Sequence, residues 1–315
     1  MRILIIRFSS LGDVILTTGI LRALSDQNPD LRIDVLTFSA FADMFRKLPY
    51  VSEIYTVEKG IALGDYKAFL KTMPAYDYLF DLHGNTRSAL ARKLLTGRAS
   101  VYKKSGLARR LYVMFRCCRS KLGKHVVLRY AESVFPVLGC RTPSLEELRP
   151  HLPNTYPAHP KKIVLHPFAS KFTKTWPQFS ELAETLVKEG YDVKVLGKGD
   201  FPDIAGVERV DTPMVADMFD YMANAALVVS TDSGPMHAAI ALNIPTVGVF
   251  GSTTRELGFF PEFDRCWIVE RENVLCRPCH VHGRDKCPKV HFDCMKKISV
   301  NSVMWAVKAA LEDAP

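Results

Sequence analysis

The sequence has no long apolar run, and this absence narrows the classes of protein that it can encode. No segment approaches the ~20 consecutive apolar residues that a membrane-spanning helix needs. The opening residues 1–7 are too short and too charged for a secretory signal peptide, so we expect a cytoplasmic protein. In that reducing compartment the eight cysteines are expected to be thiols or metal ligands rather than disulfides.

Acidic residues are fewer than basic ones, 33 against 42, which gives a net charge of +9. Nucleic acid, an anionic membrane surface and a phosphorylated substrate are all suitable acidic partners. The imbalance is strongest between Tyr102 and Arg129, where basic residues occur with no acidic residue among them. A solvated helix face is the ordinary interpretation of such a tract, but the missing acids favour an anion-binding surface.

Strand and helix patterns alternate along the 315 residues, although no GxGxxG dinucleotide fingerprint is present. The pattern stops between Pro143 and Pro160, where five prolines indicate an interdomain linker, and then restarts. We therefore predict an α/β protein with two Rossmann-like domains, residues 1–155 and 156–315, whose parallel sheets face a central cleft. The strands are expected at 2–8, 32–38, 53–57, 78–82, 163–166, 193–197, 225–229 and 244–251, and the helices at 14–24, 40–47, 61–72, 86–96, 125–138, 177–188, 213–223, 236–242 and 300–311.

Polar turns follow three of these strands, at the sheet edge where open α/β proteins bind ligands. Asp13 follows the first strand and is either a helix cap or a carboxylate able to take a proton from a hydroxyl. Lys174, with nearby hydroxyls, follows the first strand of the second half and suits a phosphate. Ser233 and Gly234 begin a helix whose free N–H groups also suit a phosphate, although an ordinary capped helix explains them equally well. Together these turns describe a two-substrate enzyme.

Three motifs, taken together, resemble those of the ADP-heptose lipopolysaccharide heptosyltransferases, glycosyltransferase family nine. They are Arg7-Phe8-Ser9-Ser10-Leu11-Gly12-Asp13-Val14, Lys174-Thr175-Trp176-Pro177 and Thr231-Asp232-Ser233-Gly234-Pro235-Met236-His237, and the segment 77–84 with 87–90 is similar to a fourth. The resemblance implies a GT-B fold, with a nucleotide-diphosphate heptose bound by the C-terminal domain and an acidic inner-core acceptor bound by the N-terminal domain.

The resemblance also implies roles for individual residues. Asp13 takes the family's general-base position, and Lys174 takes the position that holds the donor diphosphate. The other donor-binding positions are Ser170, Thr173, Asp200, Asp232, Ser233, Gly234 and His237, and the acceptor-binding positions are Ser10, Gly12, Arg87 and Arg129. The implied reaction is a single displacement that inverts the anomeric carbon, for which no cofactor is required.

A separate cysteine-rich segment spans residues 276–294. Cys276, Cys279, Cys287 and Cys294 begin with a CxxC pair, which is typical of a structural metal site. The segment also resembles that of some bacterial protein heptosyltransferases with bound iron, and this resemblance implies iron as an alternative to zinc. The second pair lacks the CxxC spacing, and four buried thiols in a compact loop are the alternative interpretation. Metal analysis of protein purified without added zinc distinguishes the two.

The expected partners are ADP-heptose and an acidic acceptor of the Kdo-lipid A type, with no nucleic acid, for a cytoplasmic enzyme peripheral to the inner membrane. Three alternatives remain at this point. A protein hydroxyl could replace the glycolipid acceptor, or a nucleic-acid-binding module could use the cysteines and the basic surface. A sugar-nucleotide epimerase shares the two-domain pattern and would act on the nucleotide sugar without an acceptor.

Overall fold

A computed structural model describes residues 1–313, which form two compact units. The first unit contains residues 1–104 and 126–153, and the second contains residues 105–125 together with the chain from Asn154 onward. The predicted division after residue 155 lies close to the change at Pro153, but the segment 105–125 groups with the second unit rather than the first. The last two residues of the predicted second domain lie outside the described residues.

The first unit contains a five-stranded parallel sheet in the order β3-β2-β1-β4-β5. Helices connect the strands, as parallel pairing requires. The strands are β1 (Arg2–Ile6), β2 (Arg32–Phe38), β3 (Val51–Val57), β4 (Tyr78–Asp81) and β5 (Arg98–Val101), and the helices are α1 (Leu11–Gln27), α2 (Ala42–Arg46), α3 (Leu63–Thr72), α4 (Thr86–Leu94) and α6 (Val126–Val134).

The second unit contains a six-stranded parallel sheet in the order β11-β10-β9-β6-β7-β8. Its strands are β6 (His159–His166), β7 (Asp192–Leu196), β8 (Val207–Val210), β9 (Ala225–Thr231), β10 (Thr246–Phe250) and β11 (Cys266–Glu270). Its helices are α5 (Gly106–Phe115), α7 (Phe179–Lys188), α8 (Val215–Met222), α9 (Gly234–Ala241), α10 (Asp293–Lys296) and α11 (Val300–Glu312).

The central strands are apolar runs because helices cover both faces of each sheet. Ile3 to Ile6 of β1 are at most 1% exposed, and every residue of β9 is buried. The edge strands β5, β8 and β11 are partly exposed and carry charged residues, so the sequence pattern does not predict them. None of the helices within residues 1–313 is both long and apolar enough to cross a membrane.

Each sheet has one place where the strand order reverses. In the first unit it lies between β1 and β4, and in the second between β6 and β9. The connections that follow the two neighbouring strands run to opposite faces of the sheet. The carboxyl ends of these strands therefore border a crevice, which is where open α/β folds bind ligands. The motifs predicted to be functional follow β1, β4, β6 and β9, and therefore lie at these two reversal points.

Candidate active site

In the first unit, Asp13 lies in the first turn of α1, directly after β1. Its Oδ2 forms an ion pair with Arg7 Nη2 at 2.7 Å and accepts hydrogen bonds from the Ser10 backbone N–H and hydroxyl, with heavy-atom distances of 3.3 and 2.9 Å. Its Oδ1 accepts a hydrogen bond from Tyr130 Oη at 2.9 Å. The side chain is 17% exposed, so the carboxylate is held firmly and still reaches the surface of this unit.

The ion pair keeps Asp13 ionised. Burial alone would raise its pKa, but the charge of Arg7 and the hydrogen bonds from Ser10 and Tyr130 outweigh burial and lower it. Arg7 is 5% exposed, and its Nη1 donates to the Leu82 carbonyl at the end of β4. Burial opposes the charge of Arg7, but Tyr130 and Asp13 raise its pKa above the ordinary value.

The two oxygens of Asp13 differ in how many further hydrogen bonds they can accept. A carboxylate offers about four acceptor positions, two on each oxygen. Oδ2 already faces three donors from Arg7 and Ser10, whereas Oδ1 faces the Tyr130 hydroxyl alone among residues 1–313. Oδ1 is therefore the oxygen that can accept a proton from a bound hydroxyl.

A neutral imidazole lies close to this carboxylate. His83 follows β4, and burial, with the positive charges of Arg7 and Lys104, lowers its pKa to about 4. The loop around His83 is fixed by Asp81, whose buried Oδ1 accepts the backbone N–H groups of His83 and Gly84 at 2.9 and 2.7 Å. His83 is thus uncharged at neutral pH and adds no charge that would compete for Asp13.

The predicted acceptor-binding residues differ in their surroundings. Ser10 is exposed and bonded to Asp13, and Gly12 is the second residue of α1. The Arg87 guanidinium lies over the rings of Phe8, Phe38 and Tyr66 and donates to a backbone carbonyl. Arg129, on α6, is partly buried, and burial lowers its pKa. Ser10, Gly12 and Arg87 thus adjoin the end of β1, whereas Arg129 lies on the helix that carries Tyr130.

In the second unit, a lysine and a carboxylate meet where the strand order reverses. Lys174 follows β6, Asp232 follows β9, and Lys174 Nζ lies 2.9 Å from Asp232 Oδ2. The same oxygen accepts the Thr253 hydroxyl at 2.8 Å. Both partners are partly exposed, at 14% and 11%, so an incoming anion can reach the ammonium group.

A helix begins beside this pair. Ser233 precedes α9, Gly234 is its first residue, and Pro235 occupies the first turn, where a missing N–H costs nothing. The Ser233 hydroxyl lies 3.3 Å from His166 Nδ1 and 3.2 Å from the Ser230 hydroxyl. Burial lowers the pKa of His166 to about 4, so the imidazole is neutral at neutral pH. The unpaired N–H groups of the helix and the lysine together suit a phosphate.

The turn that carries Lys174 is fastened to the cysteine-rich segment. Thr173 is 1% exposed; its Oγ1 accepts the Arg284 backbone N–H at 2.7 Å, and its own N–H donates to the Arg284 carbonyl at 3.0 Å. Gly283 lies so close that a Cβ there would be 2.9 Å from Lys174 Cγ. Trp176 anchors the other side of the turn, because its buried indole N–H donates to the Ile298 carbonyl at 3.1 Å.

The remaining predicted donor-binding residues are not brought together. Ser170 and Asp200 are exposed, in the loops that follow β6 and β7. His237 is 4% exposed inside α9. Burial lowers the pKa of the neighbouring His125, and repulsion between the like charges of His125 and His237 lowers it further. The geometry thus unites Lys174, Asp232, Ser233 and Gly234, and leaves Thr173 and His237 as buried supports.

Residues 70–283 match the model of "Glycosyltransferase family 9 (heptosyltransferase)". The chain belongs to glycosyltransferase family 9. It is 27% identical over 311 residues to lipopolysaccharide heptosyltransferase 1 of Pseudomonas aeruginosa, covering 89% of this chain and 86% of that protein. This family 9 member is therefore a transferase enzyme.

Solved structures agree on the fold of this family 9 chain. The E. coli heptosyltransferase WaaC with ADP superposes with a TM-score of 0.73 at 21% identity, over 98% of this chain and 100% of that one. E. coli ADP-heptose lps heptosyltransferase II gives a TM-score of 0.73 at 20% identity over the whole of both chains. The predicted α/β class with two parallel sheets is confirmed, as is the GT-B fold.

The predicted metal site is not supported. Within residues 1–313, no group of three or more His, Cys, Asp and Glu side chains is arranged to hold a metal ion. Cys294 is 5% exposed and packs in the hydrophobic core of the second unit, with the partly buried Cys287 against that core. Burial raises the pKa of Cys294 to about 12 and also raises that of Cys279. Cys276 is partly buried, with His291 Nε2 3.9 Å from its sulfur.

Several residues of this site were missed by sequence reasoning. Tyr130 and Arg7 hold Asp13, His166 contacts Ser233, and Arg284 holds the turn that carries Lys174. Tyr130 and Arg284 come from distant parts of the chain, so no local pattern indicates them. A charged residue directly after a buried strand is an unusual choice, and this signal could have singled out Arg7.

Proposed function

We propose that this glycosyltransferase transfers heptose from ADP-heptose to a hydroxyl group of the lipopolysaccharide inner core, with inversion at the anomeric carbon. The observation that carries the proposal is the Asp13 carboxylate, kept ionised by Arg7 and partly exposed, with acceptor capacity on Oδ1. Lipopolysaccharide heptosyltransferases among the relatives support the choice of sugar and acceptor.

In the proposed reaction, the acceptor hydroxyl oxygen attacks the anomeric carbon and its proton passes to Asp13 Oδ1. The bond from that carbon to the diphosphate breaks, and its electron pair leaves with ADP. Lys174 and the N-terminus of α9 would stabilise the charge that develops on the diphosphate. Because the diphosphate is a good leaving group, the reaction needs no second carboxylic acid, unlike glycoside hydrolysis. It also requires no cofactor step.

We assign donor binding to residues 156–313 of the predicted second domain. Lys174 would exchange its contact with Asp232 for the diphosphate, and Ser233 and Gly234 would present hydroxyl and N–H donors. The exposed Ser170 and Asp200 would complete the nucleotide contacts. The buried Thr173 and His237 would shape this site from beneath.

We assign acceptor binding to residues 1–155. Ser10 and Gly12 lie beside the base, and Arg87 and Arg129 would attract the carboxylates and phosphates of an acidic Kdo-lipid A type acceptor. Residues 82–131 contain 13 Lys and Arg and no Asp or Glu, which supports an anionic partner. We further propose that the enzyme acts in the cytoplasm, at the surface of the inner membrane.

A product assay tests the proposed function. The protein is incubated with ADP-heptose and deacylated inner-core acceptor, and the product linkage is determined by NMR. We expect one new glycosidic bond, with an anomeric configuration opposite to that of the donor. Conversion of ADP-heptose without any transfer would indicate an epimerase instead, and transfer to a polypeptide but not to the core would assign a protein acceptor.

A further inference from the structure

The helix α5, Gly106–Phe115, exposes large apolar side chains to solvent. Leu107, Met114 and Phe115 are 72%, 65% and 66% exposed, and Tyr112 is the single buried residue of the helix. Three such residues on one ten-residue helix form an apolar surface of the kind that marks an interaction site. No ligand-binding or catalytic role assigned above involves these three side chains.

The exposed residues share one side of the helix. Leu107, Arg110 and Met114 are spaced by three and four residues, which brings them together along one face, and Phe115 follows at the end of α5. Arg110 is exposed and has no ion pair with any other residue in 1–313. This face, which we call the α5 face, therefore combines a cation with exposed apolar groups.

The surroundings of the α5 face are uniformly basic. Residues 105–125 contain six Lys and Arg and no acidic residue. Arg119, in the turn after α5, forms an ion pair with Glu256 at 2.7 Å, but its side chain remains 73% exposed. Arg116 is occupied differently, because its Nη1 donates to the carbonyls of Val113 and Pro278 at 2.7 and 3.0 Å.

We propose that the α5 face docks the protein onto an anionic lipid bilayer. Leu107, Met114 and Phe115 would enter the boundary between headgroups and acyl chains, and Arg110 and Arg119 would pair with lipid phosphates. Apolar groups beside Lys and Arg are what interfacial helices use, since each contributes separately to binding. This inference rests on the membrane location in the proposed function, but not on the transfer chemistry.

Charge and chemistry favour a bilayer over other occupants. Nucleic acid would engage the arginines and leave the three apolar side chains without a partner. A second copy of the chain would bring the six cations of residues 105–125 against the same six cations. An anionic bilayer satisfies both kinds of side chain at once.

Vesicle co-sedimentation of the full chain tests the proposal. We expect binding to vesicles of phosphatidylethanolamine and phosphatidylglycerol, weak binding to phosphatidylcholine alone, and a marked loss at ~0.5 M salt because surface charges are then screened. Leu107→Ser with Met114→Ser and Phe115→Ser should lower the partition coefficient at least ~10-fold. Arg110→Gln should lower it about fivefold, the effect of one cation near an anionic surface.

Matched controls use exposed residues on other surfaces. Leu63→Ser with Met214→Ser removes apolar groups that are 62% and 60% exposed, and Lys67→Gln removes an exposed cation. These variants should bind vesicles as the wild type does. Leu107→Trp should add fluorescence that brominated lipid quenches, whereas Leu63→Trp should add fluorescence that it does not quench.

Four outcomes would overturn the proposal. The first two are a lack of binding to anionic vesicles and an equal loss of binding in the control variants. The third is self-association that disappears when Leu107, Met114 and Phe115 become serine. The fourth is binding of duplex DNA or RNA that depends on Arg110 and displaces the vesicles. Transfer to the water-soluble deacylated acceptor should stay within about twofold of wild type in all α5 variants. A failure of docking is therefore distinguishable from a failure of the proposed transfer.

Discussion

The reversal points of the two sheets carry ion pairs of opposite design. In the first unit the proposed base is the anion Asp13, which is paired with Arg7. In the second unit the proposed phosphate-binding group is the cation Lys174, which is paired with Asp232. Each unit thus keeps one charged group ready in a preformed pair, which avoids burying an uncompensated charge.

The two pairs differ in how firmly the supporting partner is fixed. Arg7 is 5% exposed and bonded also to the Leu82 carbonyl, so Asp13 cannot lose its partner without disrupting the unit. Lys174 is partly exposed, and within residues 1–313 it forms an ion pair with Asp232 alone. The first pair therefore keeps the Asp13 carboxylate ionised, whereas the more open second pair leaves Lys174 able to exchange its partner for another anion.

The largest effect is expected from Asp13→Asn. Loss of the base should lower kcat by about 10²–10⁴-fold, the usual contribution of general-base catalysis. The change lies in the first unit, so the ADP dissociation constant, measured by calorimetry, should stay within about twofold. Asp26→Asn, at an exposed position of the same helix, is the control and should leave both quantities unchanged. An equal loss of donor binding in Asp13→Asn would contradict the base role.

Arg7→Met should both destabilise the first unit and move the pH profile. Removing one partner of a buried pair costs ~3–5 kcal/mol, to be measured by thermal unfolding. Arg7 lowers the pKa of Asp13, so without Arg7 burial raises that pKa. As the pH falls, Asp13 in the variant becomes protonated at a higher pH than in the wild type. The acidic limb of kcat/KM should therefore move to higher pH.

Arg92→Met supplies the matched control for this pH shift. Arg92 pairs with the buried Asp81 at 2.9 Å in the same unit, so its removal should also cost stability. It does not contact Asp13, and the acidic limb should stay in place. A shift of the same size in both variants would mean that the limb reports unfolding rather than Asp13.

Lys174→Gln and Asp232→Asn should change ADP binding in opposite directions. Loss of the cation removes a charge-assisted contact, so the dissociation constant should rise ~10–100-fold. Loss of the competing carboxylate frees Lys174, so the constant should fall by up to about fivefold, as expected for a partly exposed pair. Lys171→Gln, in the same turn, should have little effect. Weaker ADP binding in Asp232→Asn would show that this pair is not exchanged for phosphate.

The smallest effect is expected from Gly283→Ala, which tests the support of Lys174. Gly283 has a φ of +80°, and its Cβ would crowd Lys174 Cγ, so ADP binding should weaken a few-fold. Gly123→Ala, at a φ of +89° with nothing within 4 Å, introduces the same backbone strain without the contact. Both variants should lose ~1 kcal/mol of stability, and only the first should lose ADP affinity.

The sequence predicts the central strands better than the edges. Apolar segments such as 225–229 and 32–38 predict strands, and the structure contains strands at both places. The edge strands Arg98–Val101, Val207–Val210 and Cys266–Glu270 bury only part of their surface, so their composition resembles that of loops. Burial creates the pattern, and incomplete burial weakens it. The edge strand β3 is also partly exposed, and the sequence predicts only residues 53–57 of it.

The candidate site was predictable to the same extent. Turn residues such as Lys174 and Ser233 lie beside strand ends, which a local pattern can indicate. The supports, such as Tyr130 and Arg284, arrive through tertiary packing, and their role depends on contacts between distant residues. The cysteine spacing predicts a metal site only if all four thiols act together, whereas burial in a hydrophobic core accounts for Cys294.

The two hydrogen bonds between Thr173 and Arg284 have a consequence for synthesis of the protein. They join positions 111 residues apart in the chain. A ribosome synthesises the chain from the N-terminus at ~5–20 residues per second, so residue 284 is added roughly 5–20 s after residue 173. The turn that carries Lys174 is therefore synthesised before its partner. A nascent or truncated polypeptide that ends before residue 284 should lack both hydrogen bonds and hold Lys174 less firmly.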